Sequence, residues 1–166
     1  CDDSMEEDGT ITSNGIAYAD LASAVAAADS ESHPDNTVTV CDGTYTLNAV
    51  VSHALTLRSQ NGAESTTVDG GGSRILRFDA SDDLDSLQVE GLTLTGGGST
   101  EDDSCGAAIK TNGGRLVIID SVLSGHIDPW WGGAVCTDNA TEVAISGSTF
   151  SNNIAPMGGA LYVWGA

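Results

Sequence analysis

The second half of the chain repeats itself at a period of 26 to 29 residues. Gly132-Gly133-Ala134-Val135 recurs as Gly158-Gly159-Ala160-Leu161, an offset of 26 residues (158 minus 132). A degenerate copy, Gly106-Ala107-Ala108-Ile109, precedes the first motif by the same offset. Self-similarity at a fixed period of this length is typical of solenoids, in which each repeat packs mainly against its neighbours.

Longer segments align as well. Residues 87–96 match residues 116–125 at an offset of 29, and residues 116–129 match residues 143–156 at an offset of 27. The sequence therefore predicts three successive structural units of nearly equal length. Their glycines coincide with the boundaries of apolar runs, where tight turns between strands are expected.

Each unit contains about three short β-type runs, not a strand followed by a helix. Apolar and polar residues alternate over three to five positions, and Gly, Asn, Asp or Ser ends each run. The runs are 38–40, 55–57, 75–78, 87–89, 92–94, 116–118 and 143–145. Three strands joined by turns in a solenoid form a parallel β-helix, whose coils stack about 4.8 Å apart. We expect this all-β fold over residues 37–166.

One helix is predicted, over residues 17–28, where alanine predominates. Leu21 and Val25 are four residues apart and share a face. Residues 15–36 should therefore form a helical cap on the first coil. Residues 1–14 are polar and acidic, and we interpret them as an N-terminal tether.

The chain is strongly acidic, with 24 Asp and Glu against 5 Lys and Arg, a formal net charge of -19. A protein that binds nucleic acid through phosphates needs clusters of basic residues, so that class is excluded. The charge also argues against electrostatic attachment to an anionic membrane. No apolar run reaches about 18 residues, so no transmembrane helix is predicted.

The cysteines point to an oxidising compartment. Cys1, Cys41, Cys105 and Cys136 allow three complete pairings, of which we prefer Cys105 with Cys136. The spacing contains no zinc-type motif. The chain begins with Cys1 in place of Met, as in a bacterial lipoprotein lipidated on that cysteine; a trimmed chain or a disulfide-bonded Cys1 are the alternatives. We expect an extracellular or cell-surface location, with membrane contact only through that lipid.

Two segments carry a resemblance to known proteins. The helix followed by Val38-Thr39-Val40-Cys41-Asp42-Gly43-Thr44-Tyr45 resembles the entry of right-handed parallel β-helix proteins of the pectin-lyase-like superfamily, in which a short α-helix caps the first coil. Phe150-Ser151-Asn152-Asn153 followed by the Gly158 motif is similar to the FxxN and GGA[ILV] repeats of polymorphic outer-membrane proteins, which are surface adhesins. The preceding unit has Leu123-Ser124-Gly125-His126 in place of FxxN. The resemblance spans residues 15–166 and implies the fold more strongly than the function.

The motifs of enzymes with this fold are missing. Gly125-His126 is followed by Ile127 where polygalacturonase-type enzymes have Gly-His-Gly, and the chain contains no Arg-x-Lys. Arg74 and Arg77 flank a predicted strand, where we interpret them as balancing nearby aspartates. We therefore expect a non-catalytic protein. A polysaccharide-active enzyme or a glycan-binding protein is the alternative.

Asp82, Asp83 and Asp85 lie in one predicted turn. Clustered carboxylates suit calcium, although these residues do not follow the EF-hand pattern. A solvated acidic loop is the alternative interpretation. Calcium is the one cofactor for which the sequence offers candidate ligands.

Four aromatic residues are candidates for binding. Trp130 and Trp131 lie in a turn where their unit is one residue longer than the next, so one of the two should point outward. Tyr162 and Trp164 alternate with Leu161 and Val163, which places both rings outside if the leucine faces inward. Exposed aromatic rings stack on sugars or anchor protein contacts; folding back over their own loop is the alternative.

The last predicted coil has no cap of its own. A bare coil exposes apolar residues and a sheet edge, which invites pairing with another molecule. We therefore expect a surface module for adhesion or extracellular assembly. Its partners would be a second copy stacked head to tail, a surface glycan or a protein.

Overall fold

The computed structural model describes residues 11–13, 15–30, 36–100 and 105–165. These residues form one helix, α1 (Leu21–Ala28), and seventeen strands. The strands are β1 (Ile11–Ser13), β2 (Ile16–Tyr18), β3 (Thr37–Val40), β4 (Gly43–Thr46), β5 (Ala49–Val51), β6 (Leu55–Ser59), β7 (Thr66–Asp69), β8 (Leu76–Asp79), β9 (Ser86–Glu90), β10 (Thr93–Thr95), β11 (Ile109–Asn112), β12 (Arg115–Ile119), β13 (Val122–Ser124), β14 (Val135–Asp138), β15 (Glu142–Ser146), β16 (Thr149–Ser151) and β17 (Leu161–Trp164).

From β3 onward the chain winds into five coils of three strands, and each coil adds one strand to each of three parallel sheets. Sheet A holds β3, β6, β9, β12 and β15, and β1 and β2 extend it beyond β3. Sheet B holds β4, β7, β10, β13 and β16, and sheet C holds β5, β8, β11, β14 and β17. Coil 1 begins at β3 and coil 5 at β15. The predicted parallel β-helix is confirmed.

The pairing between coils follows the offsets that the sequence shows. Leu116 pairs with Val143, and Leu123 pairs with Phe150. The three repeating units correspond to coils 3 to 5. Coils 1 and 2 belong to the same solenoid but lack the Gly-Gly-Ala motif, so the residues alone did not reveal them as repeats.

Alternate residues of each strand point into the solenoid and stack in columns. In sheet A, one column contains Val38, Leu57, Val89 and Ile118, and all four side chains are fully buried. Burial of such a side chain stabilises the fold by roughly 1.5–3 kcal/mol. The columns therefore supply the main driving force that holds the coils together.

The N-terminal end differs from the sequence prediction. Helix α1 begins at Leu21, not at residue 17, because Asp20 has an extended backbone and its carboxylate caps the helix by accepting the Ser23 N–H at 2.7 Å. Ile16–Tyr18 instead pairs with β1 as strand β2.

Strand β1 pairs antiparallel with β3, and its Ile11 is fully buried. The predicted tether is therefore wrong for residues 11–13. Residues 1–10 and Asn14 lie outside the described residues. Helix α1 buries one face at this end of the solenoid through Leu21, Ala24, Val25 and Ala28.

A side-chain latch joins successive coils at the turn after sheet B. In coil 5, the Asn153 side chain accepts the His126 backbone N–H at 3.1 Å and donates to the Leu123 carbonyl at 2.9 Å. In coil 4, the His126 ring makes the same two contacts one coil earlier, accepting the Gly97 N–H at Nδ1 and donating from Nε2 to the Leu94 carbonyl, each at 3.1 Å. The histidine therefore replaces the FxxN asparagine in function.

The paired glycines of the repeat motif lie where adjacent coils approach each other closely. Gly132 has a φ of 58°, which an L side chain rarely adopts. A Cβ on Gly133 would overlap the Gly159 carbonyl oxygen of the next coil. A Cβ on Gly159 would meet only the Asn153 carbonyl oxygen, at 3.5 Å. The two equivalent glycines therefore differ in the space around them.

Gly133→Ala should lower the free energy of unfolding by about 1–3 kcal/mol, because the added methyl group meets backbone that cannot rotate away. Gly159→Ala makes the same chemical change in an open position and should stay within about 0.5 kcal/mol of the unchanged chain. Urea unfolding of both variants measures the difference. Equal effects would contradict the close stacking of coil 5 on coil 4.

His126→Asn tests the latch through pH. Burial lowers the pKa of His126 below its ordinary value of 6.5. Below pH 6.5 the unfolded chain therefore binds a proton that the folded chain refuses, so the free energy of unfolding should fall as pH drops toward the folded-state pKa. Asparagine keeps the latch without titrating, and the variant should lose this part of the pH dependence.

The measurement is urea unfolding of both chains above and below pH 6.5. The other histidines are common to the two chains, so the difference isolates His126. If the free energy of unfolding of the two chains changed with pH in the same way, the His126 ring would not be buried in its neutral form. His126→Ala should cost more, since the buried Gly97 N–H and Leu94 carbonyl then lose their partner.

Candidate functional site

Four aromatic rings lie in a row at one corner of the solenoid, beside the outer face of sheet C. Ring centroids are 6.3 Å apart between Trp130 and Trp131, 6.3 Å between Trp131 and Tyr162, and 6.4 Å between Tyr162 and Trp164. The ring planes of Tyr162 and Trp164 are nearly parallel, 16° apart. We call these four residues the aromatic ladder. They are the four binding candidates that the sequence indicates, and the fold brings them together.

Side chains on strand β17 alternate between the inner and outer faces of the sheet, and this alternation sets the positions of two of the four ladder residues. Leu161 packs against the core, so Tyr162 and Trp164 face outward from the same strand. Trp131 stands in the turn before β14 and forms a bridge with Met157 of coil 5. Trp130 and Trp164 are both exposed. The prediction that these rings point outward agrees with the structure.

A buried carboxylate holds the tryptophan turn. One oxygen of Asp128 accepts the backbone N–H groups of Trp130 at 2.8 Å and Trp131 at 2.7 Å. The other accepts the Cys105 N–H at 2.8 Å and the Ser99 hydroxyl. Four hydrogen bonds satisfy this charge, which explains how it can be almost completely buried. Asp128 is therefore a positioning residue for the ladder.

Sequence reasoning missed Asp128. Its position two residues before Trp130 is a recognisable signal, because aspartate side chains accept backbone N–H groups two residues on. The contacts to Ser99 and Cys105 come from a loop of the preceding coil. No local sequence pattern indicates these two contacts.

The preferred disulfide is confirmed. Cys105 and Cys136 are bonded, with Cα atoms 5.3 Å apart. Cys136 stands in register with Tyr162 on sheet C, so the bond fastens the Cys105 segment beside the ladder. Cys41 is also disulfide-bonded. Cys1, the expected lipidation site, lies outside the described residues.

Three residues of the ladder, Trp131, Tyr162 and Trp164, form one wall of a groove of about 390 Å³. The other lining residues are Cys105, Lys110, Cys136, Thr137 and Asp138. One positive and one negative side chain border a surface that is otherwise largely aromatic. Such a surface suits a partner that offers apolar faces together with a few hydrogen-bonding groups.

Two carboxylates of the acidic turn, those of Asp82 and Asp85, accept hydrogen bonds from backbone N–H groups. Asp85 accepts the backbone N–H groups of Ala54 at 3.2 Å and Asp82 at 2.9 Å, and Asp82 accepts that of Leu84 at 2.8 Å. Among the described residues, no three His, Cys, Asp or Glu side chains are placed to hold a metal ion. Calcium at Asp82, Asp83 and Asp85 stays a prediction.

The arginines considered for catalysis have structural contacts. Arg74 donates to the backbone carbonyls of Gly106 at 2.9 Å and Cys105 at 3.1 Å, which ties coil 2 to coil 3. Arg77 pairs with Asp79 at 2.8 Å. The expected charge balance therefore describes Arg77, whereas the partners of Arg74 include main-chain carbonyls.

Searches of the chain against family models, curated proteins and solved structures found no match. The parallel β-helix therefore rests on the structure itself, and the likeness to the pectin-lyase-like superfamily and to surface adhesins remains a resemblance. Within the part of the chain that the structure describes, no helix is long and apolar enough to cross a membrane.

Asp128→Asn should loosen the tryptophan turn. The amide has one acceptor oxygen where the carboxylate has two, so its NH₂ group would face backbone N–H donors at Trp130 and Trp131 or at Cys105. We expect a stability loss of about 1–3 kcal/mol and an altered near-ultraviolet circular dichroism signal from the tryptophans. Asp83→Asn, at an exposed position outside this network, makes the same charge change and serves as control. If the near-ultraviolet signal of Asp128→Asn were unchanged, Asp128 would not be a positioning residue for the ladder.

Proposed function

We propose that this protein is a non-catalytic, exported β-helix module that adheres to a surface partner through the aromatic ladder. The observation that carries the proposal is the ladder itself. All three tryptophans of the chain and one of its three tyrosines stand in a single contacting row. Exposed apolar surface of this kind marks interaction sites in soluble proteins.

A glycan is the partner that suits the ladder best. Sugar rings present C–H faces that stack on aromatic rings, and their hydroxyl groups need a few polar neighbours such as Lys110 and Asp138. Rings that follow one another at about 6 Å offer stacking positions for several consecutive sugar units. Stacked nucleic-acid bases would also fit the rings, but a chain of net charge -19 repels the phosphates.

Two further points support an exported adhesion module. The Cys105–Cys136 disulfide is typical of proteins in oxidising compartments. The FxxN and GGA[ILV] motifs resemble those of surface adhesins. A polysaccharide-active enzyme is the alternative on the same groove, and release of reducing or unsaturated sugar ends from a polysaccharide would favour it.

Binding should depend on the ladder rings. With a panel of soluble polysaccharides titrated against intrinsic tryptophan fluorescence, we expect saturable binding by at least one neutral or weakly charged glycan. Trp164→Ala should weaken that binding about 30-fold, since removal of an exposed stacking ring costs on the order of 2 kcal/mol. Leu84→Ala, at an exposed position in the acidic turn, should leave it unchanged.

Equal affinities of Trp164→Ala and Leu84→Ala would place the binding surface elsewhere. Absence of binding across the panel, with the fold intact by circular dichroism, would count against a glycan. A protein partner would then be the next candidate for the same surface.

A further inference from the structure

Sheet A has two free edges that run in the same direction. Strand β1 is antiparallel to β3, and β2 is antiparallel to β1, so β2 is parallel to β3 and to every later strand of the sheet. Among the described residues, β2 and β15 each have a sheet neighbour on one side only. A free edge offers unpaired N–H and C=O groups to another strand.

One inward column runs from edge to edge, and an isoleucine stands at each end of it. Pairing places Ile16, Ser13, Val38, Leu57, Val89, Ile118 and Ile145 side by side in that order. The five inner members are at most 1% exposed, whereas Ile16 is 57% and Ile145 is 37% exposed. The column is thus complete inside the molecule and open at both ends.

Small and apolar side chains also flank these edges, together with two charged ones: Asp20 caps α1, and Glu142 of β15 pairs with Arg115 of β12 at 2.6 Å. Helix α1 contains no charged residue, and its outward positions include Ala22, Ser23 and Ala26. At the opposite end, Val163 of coil 5 points inward yet remains exposed.

We propose that the partner of each end is a second copy of this chain, with β2 of one copy pairing in parallel with β15 of another. Ile16 of one copy would then lie beside Ile145 of the other and close the column. Helix α1 of the first copy would cover the apolar interior of coil 5 of the second. The contact joins different surfaces of two identical chains, so it is heterologous and repeats into a filament.

Charge sets the conditions for this assembly. Copies of net charge -19 repel one another, while the side chains proposed to meet at the contact, such as Ile16, Ala22 and Ile145, are uncharged. Added salt screens the repulsion and should therefore strengthen association. A contact built on ion pairs would weaken instead.

Sedimentation equilibrium tests the proposal. For the unchanged chain we expect masses that rise with concentration above the 16.8 kDa monomer, and more so in added salt. Ile16→Lys places a charge on the edge and should abolish the rise. Val50→Lys is the matched control, because Val50 is an apolar strand residue of similar exposure, 62%, on the outer face of sheet C. It should associate like the unchanged chain.

Mixing two blocked variants tests the geometry. Ile16→Lys retains an intact β15 edge, and Ile145→Lys retains an intact β2 edge. Each variant alone should be monomeric, while an equimolar mixture should form dimers and nothing larger. Circular dichroism of each variant verifies the fold beforehand.

Three results would overturn the proposal. The unchanged chain could remain monomeric at its solubility limit in high salt. Ile16→Lys and Val50→Lys could associate equally, which would place the contact elsewhere. The two blocked variants could stay monomeric when mixed, which would exclude pairing of β2 with β15.

Discussion

Each coil of this protein must repeat the path of the coil before it, because all three sheets are held in register from coil to coil. Every strand pairs residue by residue with its predecessor, so a displacement at one turn would shift the next strand out of its hydrogen bonds. The turns are therefore where the chain is most constrained. Gly133 lies against the Gly159 carbonyl, and His126 and Asn153 connect the main chains of adjacent coils.

The same constraint explains how much of the fold the sequence could predict. Coils 3 to 5 have turns of similar construction, so their glycines recur at nearly fixed offsets and reveal the solenoid. Coils 1 and 2 turn differently, for example through residues 60–65, and their strands repeat without a visible motif. The start of α1 was misplaced because alanine favours a helix from residue 17, whereas the Asp20 carboxylate sets the true beginning.

The candidate site divides in a similar way. Strand alternation was enough to place Tyr162 and Trp164 outside, and the extra residue in the turn indicated the exposed tryptophans. Asp128 could not be assigned, since its partners Ser99 and Cys105 come from the loop of another coil. The local sequence pattern predicts which way a side chain points. Contacts between segments that are distant in sequence can be assigned only when the path of the chain is known.

The Cys105–Cys136 bond also bears on how the solenoid behaves under tension. A solenoid pulled along its axis gives way one coil at a time, starting from an end. Unravelling that begins at coil 5 would reach Cys136, where the covalent bond passes the load to Cys105, so the 31 residues between the two cysteines would not extend. That segment would otherwise extend by roughly 100 Å. Reduction of this disulfide would thus change the length and the compliance of the solenoid under load.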